Sequence, residues 1–162
     1  MAHPTRCVKY MLTFTAYDEH FLAMSWNWLN DPEIKHLTDT PPFTKEDQAA
    51  WFQELPMRND YKVWGMQLGE RKIGVVGLKN ICKVSAQAVG YIGEKDLWGR
   101  GLGAEMLAFA ETQAAALGIS VILARILADN SRSYRLYKSA GFVNLGTVSG
   151  SVWMAKLLGG SK

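Results

Sequence analysis

Residues 96–107 read DLWGRGLGAEML, with Gly99, Gly101 and Gly103 at alternate positions ahead of a run with helical spacing. Glycine inside a helix costs about 1 kcal/mol relative to alanine, so three at its mouth ask for an offsetting gain. A helix start leaves about four backbone N–H groups without partners, beside the positive end of the macrodipole. Glycines let such a main chain approach an anion without Cβ interference. One glycine would make a tight turn; three at alternate positions read as an anion cradle, and phosphate oxygens are the natural occupants. Two familiar nucleotide loops do not fit. No Lys-Ser or Lys-Thr follows, as a Walker loop needs. Met106 stands where a Rossmann fingerprint needs its third glycine, and the strands before it read as antiparallel.

The elements that must position this turn follow from periodicity. VKYMLTFTA at 8–16 reads as an opening strand, and DEHFLAMSWNWLN as a helix capped by Asp18, with Phe21, Leu22, Trp26 and Leu29 along one stripe. DPEIKHLTDTPPF reads as turn and loop because the Pro41-Pro42 pair cannot lie inside a helix. A second helix starts at the Thr44 cap. YKVWGMQLG and KIGVVGLKNI form an antiparallel hairpin, and QAVGYIGE adds a third strand. The glycine turn opens a helix over 102–117, closed by Gly118. ISVILARIL predicts a strand buried on both faces, DNSRSYRLYKSAG a short helix, and FVNLG and SVWMAKLL two closing strands. The expected fold class is α/β (α+β): a single mixed, mostly antiparallel sheet with helices on both faces, in one domain over residues 1–162.

Composition narrows the function classes. At 162 residues with 48% hydrophobic and 20% charged, the chain can build a core and is not a disordered type. No apolar run approaches the roughly 18 residues that span a bilayer, and the N-terminus has no signal-peptide core, so a cytoplasmic protein is expected. Cys7 and Cys82, and His3, His20 and His36, form no metal-ligand spacing. No metal is expected, and the cysteines are expected to be reduced and buried. The net charge of +3 comes from scattered lysines and arginines, which suits a phosphate-bearing ligand and argues against nucleic acid and membrane as partners.

WGRGLGA resembles the pyrophosphate-binding signature of the GNAT superfamily of N-acetyltransferases, Gln/Arg-x-x-Gly-x-Gly/Ala, with Gly101 and Gly103 at its two small positions. Trp98 replaces the opening Gln or Arg and resembles a variant of the ribosomal-protein acetyltransferase-like branch. Downstream, NSRSYRLYKSAGF is similar to the second GNAT signature: Asn130, Ser133, Leu136, Tyr137, Gly141 and Phe142 match, and Lys138 sits one place before the pattern's lysine. The resemblance implies acetyl-CoA as co-substrate, and a splayed central strand pair between residues near 86–93 and 119–127. The implied donor contacts are Arg100, Gly101, Leu102, Gly103 and Ala104 at the diphosphate, Ile92 and Gly93 along the pantetheine arm, and Asn130 and Ser133 nearby. Asn130 serves as arm contact, helix cap or both.

By motif position, Tyr137 is the acid beside the sulfur, with ring packing as its plainer role. The implied reaction is direct attack of a neutral amine on the thioester, through a tetrahedral intermediate. An ammonium must first lose a proton; Glu94 is the expected base, with His36 and Asp39 as weaker candidates bordering the acceptor. Trp26, Trp28, Trp51 and Trp64 either line that pocket or, as their spacing favours, fill the core. The expected acceptor is a small-molecule amine such as a nucleotide-linked amino sugar. The alternatives are a protein N-terminal or lysine amine, or a non-catalytic acyl-CoA sensor. The closing strands leave a homodimer open.

Overall fold

The computed structural model describes residues 11–159. The start of the predicted first strand, His3 and Cys7 lie outside them. The strands are β1 (Leu12–Ala16), β2 (Lys62–Leu68), β3 (Arg71–Lys79), β4 (Ser85–Ile92), β5 (Val121–Leu127), β6 (Val143–Val148) and β7 (Ser151–Leu157). The helices are α1 (Glu19–Asn30), α2 (Pro32–Leu37), α3 (Lys45–Glu54), α4 (Leu102–Ala116) and α5 (Ser131–Ser139), with 3-10 turns at Leu55–Met57 and Lys95–Leu97. Local chemistry explains the helix starts. Asp18 accepts from Phe21 N at 3.0 Å, and Thr44 and Asp47 close a reciprocal capping box.

One seven-stranded sheet has the order β1-β2-β3-β4-β5-β7-β6. Every neighbouring pair is antiparallel except β4 and β5. That parallel ladder joins only Ser85–Val121, Ala86–Ile122 and Gln87–Leu123, after which the two strands part. Helices cover both faces. Beneath α4 and α5 lies the main core, including Met66, Ile73, Leu78, Leu107, Ile122 and Met154. Beneath α1 and α2 a smaller one holds Phe21, Trp28, Ile34 and Val75. The edge strand β6 is exposed along its whole length. Among the described residues no helix is long and apolar enough to cross a membrane.

Three expectations need correction. The segment read as turn and loop contains α2: Asp31 accepts from the N–H groups of Glu33 and Ile34, and Pro32 takes the first helical position. There its missing N–H costs nothing, so the proline argument holds only for Pro41-Pro42. Strand β5 is buried on one face, through Ile122, Ala124 and Ile126, while Arg125 is exposed on the other. Cys82 is exposed, with Sγ 3.2 Å from Ser85 Oγ, rather than filling the core.

Candidate active site

The site begins at the glycine turn. Gly99 (φ 77°) and Gly101 (φ 80°) are left-handed, a conformation that costs other residues about 1–2 kcal/mol. Nothing stands within 4 Å of where their Cβ atoms would be, so the requirement is conformational. Gly103 is a glycine for a different reason: a Cβ there would lie 3.0 Å from Leu136 Cδ2, so it lets α5 approach α4. The starts of α1, α2, α3 and α5 each carry a side-chain cap. That of α4 has none, and Leu102, Gly103 and Ala104 open onto a cavity of about 490 Å3. Trp98 braces the turn: its Nε1 donates to Ile92 O at 2.8 Å. The Arg132 guanidinium stacks over its ring at 4.7 Å, adding a cation to the cavity wall. Arg132 escaped the sequence reading because it occupies an unspecified position of the second signature; only the approach of α5 to the turn marks it.

The parted strands supply the second wall. Gly93 N–H donates to Ile73 O at 2.7 Å. By antiparallel alternation Tyr91 and Val89 then also face β3, whereas Ile92, Gly90 and Ala88 direct their main-chain groups toward the space β5 has left. Two of those groups have different duties from those expected. The Gly93 N–H is spent on β3, the Ile92 carbonyl on Trp98 and the Ala88 N–H on the end of the short ladder with β5, which leaves the Ala88 carbonyl, the Gly90 groups and the Ile92 N–H along the open edge. A Cβ on Gly93 would enter the Trp28 ring, so this glycine serves the packing of α1.

Tyr137 stands where the walls meet. It is buried, its ring meets Phe142 edge-on at 5.0 Å, and it lines the cavity. Burial pushes its hydroxyl up to about 12, so it keeps its proton at neutral pH. Ser133 lines the cavity too, and its N–H donates to Asn130 Oδ1 at 3.2 Å. Asn130 thereby caps α5, and its Nδ2 donates to Leu37 O at 3.3 Å, tying α5 to the end of α2.

Other candidates lie elsewhere. Glu94 is 3.7 Å from Arg71 and borders a separate groove with Lys95 and Asp96. His36 Nε2 is 2.7 Å from Asp129 Oδ2, and Asp39 pairs with Arg125 at 2.6 Å; both are exposed, as is Arg100. None of these four lines the cavity, nor do Trp26, Trp28, Trp51 and Trp64. Trp28 is core, and Trp64 packs edge-on against Phe109. The cavity is lined as well by Thr38, Thr40, Tyr61, Lys79 and Arg125, with no aspartate, glutamate or histidine among the lining residues. Burial first, and the Arg125 charge second, hold the Lys79 ammonium below the ordinary lysine value. No group of three His, Cys, Asp or Glu side chains gathers to hold a metal ion among the described residues.

Residues 11–143 match the Acetyltransferase (GNAT) domain family. The chain belongs to the GNAT acetyltransferases. Spermidine N-acetyltransferase from Vibrio cholerae, solved with CoA and spermine, superposes on this GNAT domain with a TM-score of 0.82 at 20% identity, over 91% of this chain and 95% of that one. The Campylobacter jejuni N-acetyltransferase PseH gives 0.71 at 15% identity, over 91% and 99%. Aminoglycoside acetyltransferase AAC(6')-Ib with coenzyme A gives 0.74 at 20%, over 91% and 95%. These similarities show a shared GNAT fold. No curated protein sequence matches the chain significantly.

Proposed function

We propose that this GNAT domain transfers an acetyl group from acetyl-CoA to a primary amine on a small molecule. The observation that carries the reading is the meeting, in one cavity, of an uncapped helix start, an unpaired strand edge and a buried phenol. Acetyl-CoA, when bound, supplies an acyl group activated by a good leaving group. The N–H groups of Leu102, Gly103 and Ala104 suit its diphosphate, with Arg132 adding positive charge. The edge from Ala88 to Ile92 suits the amide-bearing arm, which can pair with it as another strand would. Tyr137 holds a proton on its phenolic oxygen and offers it to negative charge that develops at the cavity wall.

No carboxylate or imidazole lines the cavity to take the ammonium proton. Lys79 and Arg125 provide another route, because nearby positive charge lowers the pKa of an ammonium and favours the neutral, attacking form. A small-molecule acceptor is supported by the relatives whose names specify spermidine and aminoglycosides. A nucleotide-linked amino sugar is one amine of the size and charge this cavity suits. Trp98 supports the ribosomal-protein acetyltransferase-like branch without deciding the acceptor.

Calorimetry with acetyl-CoA, followed by thiol release over a panel of amines, tests the proposal. Heat on titration together with amine-dependent thiol release is expected. Binding without turnover of any amine would turn the reading to an acyl-CoA sensor, and no heat at all would end it.

A further inference from the structure

The cavity carries a charge pattern that acetyl transfer does not itself require. Lys79, at the end of β3, and Arg125, on β5, both line it, and no aspartate or glutamate does. Arg125 has a counter-charge in Asp39 at 2.6 Å, a residue with φ 51° in the loop after α2. Lys79 enters no ion pair among the described residues. Two cations thus share one carboxylate, and that carboxylate lies against Arg125.

Lys79 is half-buried, and its pKa is lowered first by burial and then by Arg125, with Asp39 acting weakly the other way. Positive charge withdrawn from water without a partner is unfavourable, so a partner supplied from outside the chain is the natural complement. Neutral donors stand beside the pair. Thr38 and Thr40 bring their hydroxyls within 2.6 Å of each other, and the Tyr61 hydroxyl has no protein hydrogen-bond partner among the described residues.

We propose that the acceptor is a primary amine bearing an anionic group, carboxylate or phosphate, and that Lys79 together with Arg125 seats that group. The inference rests on the transfer reading above and sharpens its substrate class. A polycationic amine would meet two like charges, with no carboxylate among the residues that line the cavity. A neutral amine would leave Lys79 unpaired. An anionic amine satisfies both cations while its nitrogen remains free to face the open edge of β4. The nearby cations also cancel the pull of the acceptor's own anion on its ammonium, which helps the nitrogen reach its neutral form.

Matched amines that differ in one charge test this: glucosamine 6-phosphate against glucosamine, and β-alanine against β-alaninamide, with spermidine as the polycation. Thiol release from acetyl-CoA reports kcat/KM, and calorimetry reports acetyl-CoA affinity separately. Calorimetry of the same amines on the CoA-loaded protein ranks any that are not turned over. The anionic member of at least one pair should exceed its neutral partner by about tenfold, and Lys79→Met should erase that margin through KM while acetyl-CoA affinity stays within about twofold. Lys79→Glu should reverse the order, and Arg125→Gln should weaken the anionic amine in the same direction as Lys79→Met. Which pair responds separates phosphate from carboxylate. Preference for the neutral partners or for spermidine overturns the inference, as does a margin that survives Lys79→Met. Loss of acetyl-CoA binding in the unaltered protein would instead strike the transfer reading.

Discussion

Tyr137 shows how burial sets a chemical role. Its ring is fixed against Phe142, the residue lines the cavity, and desolvation pushes its hydroxyl up to about 12. A phenol of that kind is an acid at neutral pH, never a base. Tyr137→Phe should therefore lower kcat by about 100-fold with acetyl-CoA affinity unchanged, and an effect under about twofold would assign the residue to packing. The same burial has a stability consequence. Folded Tyr137 and Tyr17 both titrate at about 12, against 10.0 for an unperturbed tyrosine. Above pH 10 the unfolded chain releases protons that the folded one retains, so stability is full below that pH and is lost as the pH rises toward 12. For Tyr137 the two-unit difference amounts to about 3 kcal/mol. The urea midpoint should fall between about pH 9 and about pH 11, and the fall should be smaller in Tyr137→Phe.

At the scale of elements, the start of α4 is distinctive for lacking what the other helices have. Asp18, Thr44 and Asn130 are legible as caps because each is a side-chain acceptor standing just before a run with helical spacing; Asp31 is masked by the prolines that follow it, which suit a loop equally well. The absence of a side-chain cap at α4 frees its N–H groups, and a charge placed there tests what they are for. Ala104 is exposed in the first turn of α4. Ala104→Glu should leave the protein equally or slightly more stable, by about 0.3–1 kcal/mol, because a carboxylate favours a helix N-terminus. It should also weaken acetyl-CoA at least tenfold, about 1.4 kcal/mol, because that carboxylate would compete with the diphosphate. A thermal melt and a calorimetric titration on one sample should thus move in opposite directions. A drop in both would show that the substitution merely damages the helix.

For the molecule as a whole, helices from opposite faces of one sheet border a single cavity where β4 and β5 part. The α1–α2 unit is held to the rest by Trp28 over Gly93, by Lys95 Nζ at 2.8 Å from Asp31, and by Asn130 on Leu37 O. Gly93→Ala drives a Cβ into the Trp28 ring. It should cost about 1–3 kcal/mol in an unfolding titration, and a loss under about 0.5 kcal/mol would show that the ring moves aside freely. Most of this architecture was readable from local pattern. Alternation and helical spacing depend on neighbours a few residues apart, so they marked the seven strands, four of the five helices and the glycine turn without any tertiary information. The charge environment of the cavity was not readable, because it joins residues far apart in the chain. Lys79, Arg125 and Asp39 meet only after the sheet has formed, and Glu94, sensible at the end of its strand, is turned to Arg71 by the same folding. Short-range periodicity is written in the chain itself; the sign of the field inside a cavity is a sum over side chains that only the completed packing brings together.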